Sequence, residues 1–271
     1  MSVSVDSLFA ALWQDYIAIT PSAENIHQLL KQQDGSEEII NDHIALRTFN
    51  LDKIRLDKLG AHFLALGYEE KGQYDFEQKK LKAKHFEHPD DTKPKVFISE
   101  LLVEEFSPEV QAIIHKMVDQ IDAAKVADAS FLYSGTHWQV SQSEYQTLLA
   151  VSEYAAWMSV WGFRANHFTV SVNHLHKIHQ LSDVNELLKQ AGFVLNASGG
   201  EIKGGEDVCL AQSSTMADKI DVSFTDGRLT VPSCFYEFAQ RYPMADGKLY
   251  QGFVAASADK IFESTNVAPA M

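Results

Sequence analysis

His43 and His167 each head a short stretch of alternating character, His43-Ile44-Ala45-Leu46-Arg47-Thr48-Phe49 and His167-Phe168-Thr169-Val170-Ser171. Two imidazoles and one carboxylate on one face of a metal form the donor set of non-haem Fe(II) oxygenases, which leaves positions open for substrate and O2. Two glutamates could complete the set: Glu237, in Pro232-Ser233-Cys234-Phe235-Tyr236-Glu237-Phe238, and Glu100, in Phe97-Ile98-Ser99-Glu100-Leu101. Both sit among apolar residues, where a carboxylate needs a cation or hydrogen-bond donors. An arginine or a backbone amide would serve as well as a metal. Arg47 follows His43 by four residues, so on a strand the two share a face. Its guanidinium could grip a carboxylate through two N–H groups, or pair with a neighbouring glutamate.

Strands must position these side chains. The alternation puts His43, Ala45, Arg47 and Phe49 on one face and Ile44, Leu46 and Thr48 on the other. A helix with Leu59, Phe63 and Leu66 follows and stops at Gly67, and residues 72–103 read as further strands. The pattern then recurs. Phe168, Val170 and Val172 point inward, opposite His167, Thr169, Ser171 and Asn173. A helix with Leu181, Val184, Leu188 and Ala191 stops at Gly192. Strands fill residues 193–235, with a hairpin at Asp226-Gly227. His43 precedes its glycine stop by 24 residues and His167 precedes its own by 25. Such internal similarity points to an α+β fold of duplicated βαβββ modules, each forming half of a curled mixed sheet. Module one spans about 38–103 and module two about 161–265, within a single domain over 1–271. Residues 5–35 read as two N-terminal helices. Residues 104–160 read as a helical insert, with one helix starting at Ser107-Pro108-Glu109 and another over about 143–159.

Composition excludes several classes of partner. The chain has 271 residues with 23 basic and 37 acidic side chains, a net charge of −14. That charge argues against nucleic acid and against anionic membranes as partners. No run approaches the roughly 18 apolar residues of a membrane span, and no basic n-region opens the chain. Cys209 and Cys234 form no CxxC pair and read as buried thiols. A soluble, cytoplasmic protein is expected. His174, His176 and His179 share no helical face and read as solvated, while His85 and His88 frame a turn at Pro89-Asp90-Asp91. Gly199–Gly205 lacks both the P-loop and the GxGxxG pattern, and no GxSxG elbow is present.

The segments Asn41-Asp42-His43-Ile44-Ala45-Leu46-Arg47-Thr48-Phe49, Asn166-His167-Phe168-Thr169 and Pro232–Phe238, with Leu249–Phe262 near the C-terminus, resemble the 2-oxoadipate dioxygenase/decarboxylase family over roughly residues 5–265. The resemblance implies a vicinal-oxygen-chelate-like fold and Fe(II) held by His43, His167 and Glu237. It implies that Arg47 binds substrate, that Ser257 contacts it, and that Glu100 supports the site or is an alternative ligand. The chain is shorter than long-form members of that family, which bears on the substrate more than on the metal.

The expected reaction is then oxidative decarboxylation of a 2-oxo dicarboxylic acid, 2-oxoadipate to 2-hydroxyglutarate plus CO2, with O2 as co-substrate. Two other readings stay open. One is a lyase, isomerase or hydrolase using Zn, Mn or Ni on the same fold. The other is a non-catalytic module that binds a small molecule. The ligand tips separate enzyme from module: a separation of more than roughly 7 Å, beyond the span of ligands each about 2 Å from one ion, rules out the enzyme reading and favours the module.

Overall fold

The computed structural model describes residues 3–265; Met1, Ser2 and residues 266–271 lie outside the described part. Two N-terminal helices come first. α1 (Val5–Ile17) is capped by a Ser4/Ser7 box and buries Leu8, Leu12 and Tyr16. α2 (Pro21–Asp34) begins at Pro21 and closes at Gly35, whose φ of 75° favours glycine. The first repeat follows as β1 (Asn41–Phe49), α3 (Leu56–Leu64), β2 (Glu69–Phe76), β3 (Leu81–Glu87) and β4 (Lys95–Leu101). α3 ends before Leu66, which lies in the turn closed by Gly67 (φ 92°).

Four helices occupy the insert: α4 (Pro108–Asp119), α5 (Ala123–Val126), α6 (Gln142–Leu149) and α7 (Glu153–Trp161). The single helix expected over 143–159 is therefore two. Ser152 starts the second, its hydroxyl accepting from the Ala155 amide at 3.1 Å. The second repeat comprises β5 (Ala165–Ser171), α8 (Leu181–Gln190), β6 (Lys203–Gly205), β7 (Leu210–Ser214), the hairpin β8 (Lys219–Phe224) and β9 (Gly227–Pro232), and β10 (Phe235–Arg241). α9 (Ala255–Ile261) follows.

The duplication is explicit in the sheet, whose order is β2-β3-β4-β1-β5-β10-β7-β6. β1 runs parallel to β4 as β5 runs parallel to β10, and the halves join through the antiparallel β1–β5 pair. The expected hairpin turns at Asp226, but its strands form a separate two-stranded sheet. α1, α3 and α8 pack against the eight-stranded sheet. Trp13 of α1 meets Phe168 edge-on at 5.0 Å, which fixes the apolar face of β5 on the helix side. The opposite face carries His43, Ala45 and Arg47, beneath α9 and the segment leading into it. None of the described helices is long and apolar enough to cross a membrane. Cys234 is buried, whereas Cys209 is partly exposed, which corrects the expectation of two buried thiols.

Candidate metal centre

The two histidines are aimed by matching irregularities in the central strand pair. Asn41 pairs with Val170 and His43 with Thr169, so Asp42 is an extra residue in β1. Ala45 pairs with His167 and Leu46 with Ala165, so Asn166 is an extra residue in β5. Bulges of this kind redirect side chains. Here each brings the bulged residue back against the histidine after it. Nδ1 of His43 lies 2.8 Å from Asp42 Oδ1, and Nδ1 of His167 lies 3.1 Å from Asn166 Oδ1. Both oxygens are acceptors, so each Nδ1 carries the proton and each Nε2 keeps a lone pair, the arrangement found in histidine metal ligands.

Those lone pairs converge on a carboxylate. Nε2 of His43 is 3.5 Å from Glu237 Oε1, and Nε2 of His167 is 3.1 Å from Glu237 Oε2. All three residues are buried, and their ligand atoms lie within 4.8 Å of one another. That is inside the spacing that separates a metal site from an unlinked set. Gln212 Nε2 donates to Glu237 Oε1 at 2.6 Å, whereas Oε2 has no hydrogen-bond partner among the described residues. Acceptors facing acceptors in a buried space repel unless a cation or a proton lies between them. The electrostatics show the same deficit. Burial pushes the Glu237 carboxyl up to about 8, against the Gln212 hydrogen bond. Burial also holds His43 below the ordinary imidazole value, and His167 well below it, with the neighbouring His43 and Arg47 adding to the shift of His167. Neutral imidazoles make no ion pair with Glu237, but they suit a divalent cation, which would also restore the carboxylate.

Asp42 has a second partner. Arg241 Nε donates to its Oδ2 at 2.6 Å and Nη2 to its Oδ1 at 2.8 Å. Against the cost of burial, the Arg241 charge and then the His43 hydrogen bond hold Asp42 well below the usual carboxylate range. Arg241 Nη1 also donates to the carbonyls of Tyr250 (2.9 Å) and Gly252 (2.8 Å). This ties down the segment whose Phe253 packs edge-on against His43, with ring centroids 4.8 Å apart.

The three ligand-type residues line a cavity of about 30 Å³ with Ala45, Arg47, Phe97, Ser99, Phe253 and Phe262. Arg47 shares the face of His43, as the alternation predicts. Its Nη1 donates to Glu153 Oε1 at 3.2 Å and its Nη2 to Thr265 Oγ1 at 3.4 Å. Its guanidinium lies over the rings of Tyr154 (4.8 Å) and Trp157 (4.9 Å). Nε has no partner among the described residues. Ser257 is buried in the first turn of α9 and is not among the cavity-lining residues, although its neighbour Ala258 is. A larger groove of about 680 Å³ beside α3 and α5 brings together no comparable set of ligands.

Glu100 lies elsewhere. Its Oε2 accepts from the Leu56 amide at 2.8 Å, at the N-terminus of α3. The register explains the difference: β5 places Thr169 beside Glu237, and the matching position of β1, Ala45, lies beside Phe97. Phe97 is therefore the counterpart of Glu237, and Glu100, three residues on, has the opposite parity. His174, His176 and His179 are exposed, as expected. His85 does not frame the turn; it is buried in β3 between Tyr74 Oη and Glu87 Oε1, both at 2.9 Å. Asp42, Asn166, Gln212 and Arg241 were not singled out from the sequence. The first two carry a usable signal, an Asp or Asn directly before each repeated histidine. Gln212 and Arg241 carry none.

The sequence profile of the 2-oxoadipate dioxygenase/decarboxylase family matches residues 8–250. The chain is 34% identical to the chloroplastic 2-oxoadipate dioxygenase/decarboxylase of Arabidopsis thaliana, over 92% of this chain and 74% of that one. A crystal structure from Shewanella frigidimarina NCIMB 400, described only as a candidate hydrolase, superposes with a TM-score of 0.90 at 64% identity, covering 94% of this chain and all of the other (100%). The Oryza sativa hydroxyglutarate synthase in complex with 2-oxoadipate gives a TM-score of 0.91 at 34% identity, covering 96% and 91% of the two chains.

Proposed function

This chain belongs to the 2-oxoadipate dioxygenase/decarboxylase family, and from that premise we propose that it is an Fe(II)-dependent enzyme converting 2-oxoadipate and O2 into 2-hydroxyglutarate and CO2. The observation that carries this reading is the buried convergence of His43, His167 and Glu237 in a cavity that also contains Arg47. A ferrous ion in that set supplies Lewis acidity toward a 2-oxo carbonyl and redox chemistry toward O2. His43, His167 and Glu237 hold the ion, while Asp42 and Asn166 keep the two Nε2 atoms free of protons. Gln212 fixes one oxygen of Glu237. The unpartnered Nε of Arg47 takes the far carboxylate, and its distance from the histidines sets chain length. Phe97, Phe253 and Phe262 keep water from the reacting carbons. The atoms balance without an external reductant, because both oxygens of O2 enter the products.

The dianionic substrate meets an overall charge of −14, so local positive charge must compensate. Arg47 and the metal supply it.

A second reading, metal-dependent hydrolysis, draws on the same donor set and on the description of the 64%-identical relative. Anaerobic loading with Fe(II), followed by O2 uptake with 2-oxoadipate, decides between them. Equal amounts of O2 consumed and CO2 released support the oxygenase. Turnover without O2 excludes it. His167→Ala should lose both iron and turnover, and undiminished iron in that variant overturns the ligand assignment.

A further inference from the structure

Glu153 is the first residue of α7, in the helical insert, and lies 106 residues after Arg47 in the chain. Its carboxylate reaches the buried guanidinium of Arg47. We infer that Glu153 is a positioning residue for Arg47: it holds one terminal nitrogen so that the Nε edge stays free for the far carboxylate of a dicarboxylic 2-oxo acid. The inference rests on the role proposed above for Arg47.

Three observations lead to it. First, the guanidinium is fully enclosed and two of its three nitrogens are spoken for. Nη1 donates to Glu153 at 3.2 Å, and Nη2 makes a longer bond to Thr265 at 3.4 Å. Nε alone is unpartnered among the described residues, and Arg47 lines the cavity that holds the histidines and Glu237. A buried arginine without a counter-charge is costly. Glu153 meets that need before substrate arrives, and it occupies the edge away from Nε.

Second, Glu153 is itself fixed. The Thr265 hydroxyl donates to the same Oε1 that receives Arg47. The next residue, Tyr154, pins the start of α7 to the sheet: its hydroxyl accepts from the Thr48 amide at 3.0 Å and donates to the Ser99 carbonyl at 2.8 Å. Thr48 is adjacent to Arg47 on β1, so the base of Arg47 and the start of α7 form one rigid unit. A carboxylate at the first turn is also favoured by the helix dipole.

Third, the guanidinium lies over the rings of Tyr154 and Trp157, with Cζ 4.8 and 4.9 Å from their centroids. Stacking fixes the plane, and the Glu153 bond fixes rotation within it. Together they determine which N–H edge meets the cavity.

The test compares Glu153→Ala and Glu153→Gln in the iron-loaded enzyme. Glu153→Ala should raise KM for 2-oxoadipate about tenfold or more, the scale of one misplaced charge-assisted hydrogen bond, with a much smaller change in kcat. Glu153→Gln keeps an acceptor oxygen for Nη1 and should recover most of the lost affinity. The inhibition constant of 2-oxohexanoate, which has the same chain length but no far carboxylate, should be the same in wild type and Glu153→Ala. A general loosening of the fold would move both acids, and melting curves report it separately. An unchanged KM in Glu153→Ala, a parallel loss for both acids, or a Gln variant as impaired as Ala overturns the inference. Arg47→Lys separates this from the reading beneath it: if that variant keeps the wild-type KM, the role of Arg47 fails, whereas a raised KM there with an unchanged Glu153→Ala removes Glu153 alone.

Discussion

Asp42 and Asn166 occupy the same place in the two halves of the molecule: each is the extra residue of a bulge in the β1–β5 pair, and each accepts from Nδ1 of the histidine that follows it. Their chemistry differs. Asp42 is an ionised carboxylate held by Arg241, and Asn166 is a neutral amide whose Nδ2 has no partner among the described residues. A carboxylate makes its imidazole a stronger donor than an amide does. We predict that Asn166→Ala and Asp42→Ala each weaken Fe(II) binding, by about 10–100-fold, with Asp42→Ala the more severe. Competition against a chelator of known affinity measures both, and equal losses would deny the inequivalence of the two histidines.

The pH dependence of metal uptake follows from Glu237. In the metal-free protein burial raises its carboxyl from the ordinary glutamate value to about 8. A raised acid keeps its proton in the fold after the unfolded chain has lost it. The metal-free fold is therefore penalised increasingly as pH rises from the unfolded value toward 8. Metal binding expels that proton. Iron affinity should climb with pH up to about 8 and then level off, while the melting temperature of the metal-free protein falls over the same range. Glu237→Gln should remove that contribution from the melting curve and abolish tight binding. Calorimetry in two buffers of different ionisation enthalpy checks the proton count.

The meeting of His43 and His167 was legible because the fold is a repeat. Two histidines at the heads of equivalent strands had to meet, and two-residue periodicity put Arg47 beside one of them. Spacing alone left Glu100 and Glu237 open, and only the family resemblance pointed to Glu237, because the physical reason lies in the register of β4 against β1. Only the paired strands show that Phe97 holds the place of Glu237. The bulges were hidden for the same reason: strict alternation sends Asp42 and His43 to opposite faces, and an extra residue overrides it. The split between α6 and α7 was hidden by continuous apolar spacing, although Ser152 is an ordinary helix cap.

Glu100 gives a prediction that runs opposite to its initial candidacy. Its carboxylate accepts from the Leu56 amide at the start of α3, and burial raises its proton affinity. Glu100→Ala should leave iron content and the KM for 2-oxoadipate unchanged. It should lower stability by about 0.5–2 kcal/mol, the range for a lost helix-terminal acceptor. Denaturant unfolding of the iron-loaded protein measures the second effect, and loss of iron would return Glu100 to the metal site.

Arg241 joins the His43–His167–Glu237 cluster to the segment that covers it. One edge of the guanidinium holds Asp42, and Nη1 holds the carbonyls of Tyr250 and Gly252. Tyr74 holds the same segment too, its hydroxyl accepting from the Phe253 amide at 3.1 Å. Phe253 is thus kept against His43 by two side chains from different repeats. The two functions of Arg241 can be separated. Arg241→Leu leaves Asp42 buried without its counter-charge, and stability should fall by about 3–5 kcal/mol. Arg241→Lys keeps a positive charge near Asp42 but cannot span the carboxylate and both carbonyls at once. It should retain most of the iron affinity while amide exchange across residues 249–254 accelerates. If instead exchange stays slow in Arg241→Lys, the segment is held by Tyr74 and by the packing of Phe253, and Arg241 acts on the metal site alone.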